Sequence, residues 1–157
     1  GIGLNTGMLM MGTIGHEDRL STTVIGDTVN LTARLESLTK DYFTPILVSE
    51  FTVSKLKEEN KTYLREIDKV IVKGKTNSVK IYECFQTDPE SLKEQKSKSK
   101  KLFLEAINLL ESEDYPAAME KLLILKSVLP DDLILSFHIM KCNELIKESK
   151  MEIRKVS

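Results

Sequence analysis

The apolar positions of the chain change their period twice. GIGLN (residues 1–5) is a short apolar run, and GMLMMGTIG (7–15) is a second, divided from it at Thr6-Gly7. Such a pair predicts a hairpin with a tight turn. HEDRLS (16–21) reads as a polar loop. TTVI (22–25) is β-branched and predicts a strand, which Gly26 ends. Asp27 then suits the N-cap of a helix over about 28–38. In that helix Leu31, Leu35 and Leu38 make one apolar stripe, widened by Val29 and Ala33. TPILVS (44–49) reads as a buried strand, and EFTVSKLKEE (50–59) as a short helix capped by Ser49. YLREIDKVIVKG (63–74) and SVKIYECF (78–85) predict two antiparallel strands joined at GKTN. The whole is an α+β pattern, a mainly antiparallel sheet with helices on one face.

The text changes near residue 86. All seven glycines precede that point, and the remainder reads as helix. QTDPESLKEQKSKSKK (86–101) opens with a proline turn and becomes lysine-rich, so residues 87–101 read as a linker entering a basic helix. Its lysines could attract phosphate or acidic lipid, but a solvated helix face is the weightier reading. Helices follow over about 91–112 and 115–129. A third starts after Pro130, capped by Asp131 or Asp132, and runs to about 150 with Leu133, Phe137, Met140 and Leu145 in one stripe. Leu102, Ala106, Leu109, Tyr115, Ala118, Leu122 and Pro130 fall at spacings that resemble one tetratricopeptide repeat. A single repeat cannot build a solenoid, so residues 102–157 predict a helical tail docked on the first unit, residues 1–86.

Composition narrows the classes. Of 157 residues, 41% are hydrophobic and 30% charged, and 23 Lys plus Arg against 24 Asp plus Glu give a net charge of -1. That balance points to neither nucleic acid nor a membrane surface. Cys84 and Cys142 are far apart and have no CxxC partner, which suggests buried thiols in a reducing, cytoplasmic setting. No apolar run reaches the roughly 18 residues of a membrane span. His16, in the polar loop, and His138, beside Phe137, lack ligand-spaced partners for a metal. Met8, Met10 and Met11 read as core or dimer packing. GTIG and GKTN lack the full phosphate-binding GxxxxGK[ST] form.

Asn30 and Arg34 are the conspicuous pair. They are four residues apart, so they project from one side of the helix, about 100° from the leucine row. An amide and a guanidinium on the margin of a core suit a phosphate or a developing oxyanion. A plainer reading has Arg34 paired with Glu36 or a nearby carboxylate, and Asn30 capping the helix.

TVIGDTVNLTARLES resembles the signature segment of the class III nucleotidyl cyclases, the adenylate and guanylate cyclase catalytic domain. GIGLNTGMLMMGTIG is similar to that family's glycine-rich hairpin, and ILVSE and VKGKTNSVKIYE to its later strands. The resemblance covers about residues 1–85 and implies a ferredoxin-like cyclase fold, present here as its C-terminal portion. It implies that Asn30 orients the ribose, Arg34 stabilises charge on the α-phosphate, and Lys73 reaches the triphosphate. It places Thr23 and the backbone of Val24 beside the base, with Thr23 leaning toward ATP over GTP. It implies two Mg²⁺ or Mn²⁺ ions, but the family's metal-binding aspartates have no counterpart here. Asp18, Asp27 and Asp68 are scattered. The expectation is therefore a C-terminal part of a longer adenylate cyclase, a cytoplasmic homodimer needing the N-terminal remainder of its parent and inactive alone. The alternative is a non-catalytic cyclase-like module acting by dimerisation or protein binding.

Overall fold

The computed structural model describes residues 1–16, 19–71 and 78–156. Six strands and five helices follow in the order β1 (Ile2–Leu4), β2 (Met10–His16), β3 (Arg19–Ile25), α1 (Asp27–Asp41), β4 (Ile46–Ser49), α2 (Glu50–Val53), β5 (Leu64–Ile71), β6 (Ser78–Cys84), α3 (Glu90–Glu111), α4 (Tyr115–Val128) and α5 (Leu133–Val156). The architecture is α+β, as the pattern predicts, but the sheet is mixed. Its order is β1-β4-β6-β5, with β1 parallel to β4 and both other pairings antiparallel.

The expected hairpin between residues 1–5 and 7–15 is not formed. β1 pairs instead with β4, Ile2 opposite Ile46. The hairpin is β2–β3, with Met10 opposite Ile25 and His16 opposite Arg19, so HEDRLS is not a loop throughout. Both His16 and Arg19 are in strands, and Asp18 lies outside the described residues. The reason is packing. A Cβ on Gly3 would stand 2.6 Å from the Glu36 nitrogen and the Thr32 carbonyl oxygen, so glycine lets β1 lie directly against α1. The methionines are not core: Met8, Met10 and Met11 are 94%, 73% and 72% exposed.

α1 is longer than predicted and starts one residue earlier. Gly26 holds the N-cap position that Asp27 was expected to fill, with φ 150, a conformation glycine adopts and other residues resist. Ser49 does cap the next helix, its hydroxyl accepting from the Thr52 N–H at 3.3 Å. That helix stops at Val53, and Glu58–Lys61 forms a separate 3₁₀ turn. β5 and β6 pair as expected, with a bulge between Glu66 and Asp68, while the GKTN connection lies outside the described residues.

The helical tail shares the core of the sheet. Leu31 and Leu35 of α1, Ile67 and Ile81 of the sheet, Phe103 and Ile107 of α3, and Leu122 of α4 belong to one buried cluster. Asp114 caps α4 by accepting from Ala117 N–H at 3.2 Å. Asp132 caps α5, accepting from Ile134 and Leu135 N–H at 3.0 and 3.3 Å.

The lysine-rich segment departs from its solvated reading. α3 already begins at Glu90, and Lys96 within it is only 5% exposed. Lys96 lies 3.0 Å from Glu83 and 2.7 Å from Asp88. Glu83 also binds Arg65, whose guanidinium stacks 4.0 Å from the Phe103 ring centroid and reaches Asp132 at 2.8 Å. A buried ionic network thus ties β5 and β6 to α3 and the start of α5. Burial pushes the Asp132 carboxyl upward, but the charges of Arg65 and Lys96 outweigh it and hold that carboxyl below its usual range.

Candidate nucleotide-contacting site

α1 carries the two side chains singled out from the sequence. Its inner face is fixed by Leu31 and Leu35, 4% and 0% exposed. Asn30 and Arg34 are on the exposed flank, one turn apart. The plainer readings of both fail among the described residues. Asn30 is exposed, and the N-cap position of α1 belongs to Gly26. Arg34 has no carboxylate partner; its Nη1 donates to the Ile71 carbonyl at the end of β5.

A guanidinium has five N–H donors, and the bond to Ile71 uses one. The bond sets the direction of the side chain and leaves donors for an anion. Lys73, two positions beyond Ile71 in the chain, lies outside the described residues. Thr23 and Val24 are on β3, opposite Gly12 and Met11. Thr23 is half-buried, and Val24 is 44% exposed. β3 runs into α1 through Gly26 alone, so one turn links the strand of Thr23 and Val24 to the helix of Asn30 and Arg34.

A cleft of about 480 Å³ opens at the start of α1, lined by Asn5, Thr6, Asp27, Thr28, Glu50 and Ser78 among others. Neither Asn30 nor Arg34 lines it. Asn5 is held there by donating to the Thr28 carbonyl at 3.0 Å and accepting from the Ser49 hydroxyl at 2.7 Å. Sequence reasoning did not single out Asn5; its place in an apolar pentapeptide was the available signal.

A second set of groups, which sequence reasoning did not bring together, lies at the C-terminal end of α1. Tyr42, just after the helix, donates to Asp68 Oδ2 at 2.7 Å, and Lys141 of α5 donates to the same oxygen at 2.9 Å. Burial pushes Asp68 up, but Lys141, Tyr42 and the Lys69 N–H together hold it below the usual carboxylate range. Burial, with Asp68 beside it, raises the Tyr42 hydroxyl far above its ordinary value. His138 is 1% exposed, its ring nitrogens make no well-formed hydrogen bond among the described residues, and the Ile67 backbone lies beside the ring. Burial pushes its pKa down to about 4, against the pull of Asp68.

The described residues do not fit a divalent-metal pair: no group of three or more His, Cys, Asp or Glu among them is placed to hold a metal ion. No helix is long and apolar enough to cross a membrane among the described residues.

Residues 1–86 match the family described as the adenylate and guanylate cyclase catalytic domain, and the chain belongs to that family. It is 31% identical over 153 residues to the terminal-differentiation specific adenylate cyclase of Dictyostelium discoideum, a match covering 97% of this chain and 7% of that protein. It is 46% identical over 84 residues to an adenylate cyclase of Anabaena cylindrica, covering 53% of this chain and 17% of the relative. It is also 38% identical over 81 residues to adenylate cyclase 1 of Rhizobium meliloti, covering 52% and 12%. The chain therefore spans less than a fifth of the length of each of these relatives.

Proposed function

We propose that this chain supplies the nucleotide-contacting side of an adenylate cyclase site, forming cyclic AMP and pyrophosphate from ATP as part of a larger catalytic unit. The supporting observation is the state of Asn30 and Arg34. They stand one turn apart on an exposed flank, no carboxylate neutralises the arginine among the described residues, and the Ile71 carbonyl aims it.

The reaction needs such groups. The ribose 3′-oxygen, as its proton leaves, bonds to the α-phosphorus, and the bond from that phosphorus to the β-phosphate oxygen breaks. Negative charge grows on the phosphoryl oxygens and on the leaving pyrophosphate, where a fixed cation is most effective. Arg34 meets the α-phosphoryl charge, Lys73 the departing triphosphate end, and Asn30 holds the ribose so that its 3′-oxygen is in line. Thr23 and Val24 contact the base, with Thr23 favouring adenine. On this reading Mg²⁺ or Mn²⁺ and their ligands belong to the rest of the catalytic unit. The exposed apolar residues Met10, Met11, Val24 and Ile25 of the β2–β3 hairpin fit a surface covered there by a second subunit or by the remainder of the parent chain.

The test is production of cyclic AMP and cyclic GMP by the full-length parent protein, with Mn²⁺ and with Mg²⁺, beside Arg34→Ala. Cyclic AMP reduced about 10²–10³-fold in the variant is expected, the usual loss for one donor to a developing oxyanion. A folded, dimeric parent that makes neither product with either metal overturns the reading in favour of a binding module.

A further inference from the structure

α1 is tied to β5 at two rungs. Arg34 donates to the Ile71 carbonyl, and Tyr42 donates to Asp68 Oδ2 at 2.7 Å. Tyr42, the C-cap of α1, stands eight positions beyond Arg34, a rise of about 12 Å. Asp68 and Ile71 are three positions apart in β5, a span of about 10 Å. The backbone of α1 packs on β1 and β4, and these two side chains reach across to β5 at nearly matching intervals. A shift at one rung is therefore transmitted to the other through two stiff elements.

The second rung is seated by the tail. Lys141 Nζ of α5 donates to the same Asp68 oxygen at 2.9 Å. One turn earlier on α5, Phe137 packs on the Tyr42 ring with centroids 4.8 Å apart, and His138 lies 5.3 Å from Phe137. His138 in turn packs edge-on against Phe103 of α3 at 6.0 Å. Asp68 also accepts from the Lys69 N–H at 2.8 Å through its other oxygen. Without Lys141 this largely buried carboxylate keeps its bonds to Tyr42 and Lys69 but loses the one cation paired with it among the described residues. A carboxylate so deprived recruits water or turns outward, and Tyr42 follows its acceptor.

We infer that Lys141 is a positioning residue for the cyclase reaction. By holding Asp68 against Tyr42, it fixes α1 on β5 and thereby fixes the placement of Arg34. The inference rests on the cyclase reading above, and it assigns the helical tail a part in the chemistry. The likeness to the Dictyostelium protein runs over 153 residues and so includes the tail.

Two experiments test it. In the full-length parent, Lys141→Met should lower kcat for ATP about tenfold with KM changed less than twofold, since small misplacement of a transition-state group acts on kcat. Lys141→Arg, which keeps the charge, should restore most of the rate. Combined with Arg34→Ala, Lys141→Met should add nothing, because the group it positions is gone. Equal losses in both backgrounds would show a general structural effect and overturn the inference. The second experiment needs no activity. In the 157-residue chain, amide hydrogen exchange at Tyr42 and Thr44, bonded to the Leu38 and Thr39 carbonyls, should accelerate in Lys141→Met and return in Lys141→Arg. Unchanged exchange overturns the inference whatever the assay gives. A parent that makes no cyclic nucleotide overturns the functional reading and leaves the exchange result to decide whether Lys141 seats α1.

Discussion

Arg65 and Asp132 stand 67 positions apart in the chain and meet at 2.8 Å, with both side chains only 1% exposed. Arg65 belongs to β5, and Asp132 caps α5. One carboxylate therefore serves two purposes, charge neutralisation and helix capping. Asp132→Ala removes both and leaves a buried guanidinium with Glu83 as its remaining carboxylate. Loss of one member of a buried pair costs about 3–5 kcal/mol. Asp132→Asn keeps a good cap and loses only the charge. Urea unfolding should rank wild type above Asp132→Asn, and that above Asp132→Ala. Equal stability of the two variants would show that the cap contributes nothing.

His138 predicts a pH dependence. Its folded pKa of about 4 lies below the ordinary imidazole value near 6.5, so the unfolded chain binds the extra proton first. Stability is therefore fully present above about pH 6.5 and falls as pH drops toward 4. The full difference corresponds to about 3 kcal/mol. Asp68 and Asp132, both held below the usual range, lose their contributions only at more acidic pH. Thermal unfolding between pH 7 and 4.5 should show a slope that His138→Phe largely removes. An unchanged slope in that variant would locate the titration elsewhere.

The chain shows which interactions a sequence reveals. α3, α4 and α5 follow local rules: a 3.6-residue period, caps at Asp114 and Asp132, and a breaker at Pro130. Their predicted bounds are close to the observed ones because nothing distant decides them. β1 has three residues, and its partner β4 lies 44 positions away. No local signal distinguishes that pairing from a hairpin with the next run. The buried ions were hidden for another reason. Lys96, Arg65 and Glu83 read as surface because charged residues usually are, and only the assembled sheet and helices bring them together. At the site, the Asn30–Arg34 spacing was legible and so was its direction away from the core. The Ile71 carbonyl that aims Arg34 was not, since a backbone acceptor carries no residue signature.

The shared core predicts that residues 1–86 do not fold as a stable unit. Removing α3–α5 uncovers Ile67 and Ile81, both 0% exposed, and strips Arg65 and Glu83 of Lys96 and Asp132. The truncated chain should bind a hydrophobic dye and lack a cooperative melt, while the 157-residue chain melts cooperatively. A sharp transition from the truncated chain would show that the tail is an appendage.

Lys96 offers the sharpest test of the ionic network, because its neighbours on α3 are ordinary surface lysines. Lys98, two residues on, pairs with Glu94 at 2.7 Å, yet its side chain is 73% exposed. Solvent screens an exposed pair of that kind, so it contributes little. Lys96, 7% exposed by side chain, stands between Glu83 and Asp88 and lies 5.6 Å from the Phe85 ring centroid. Lys96→Met preserves the length of the side chain and its apolar packing but removes the charge. Glu83 then keeps Arg65, while Asp88 loses its close cation. The expected loss is about 3 kcal/mol, whereas Lys98→Met should leave stability nearly unchanged. Denaturant unfolding of the two variants side by side measures the contrast. Equal midpoints would mean that the network is held by Arg65 alone.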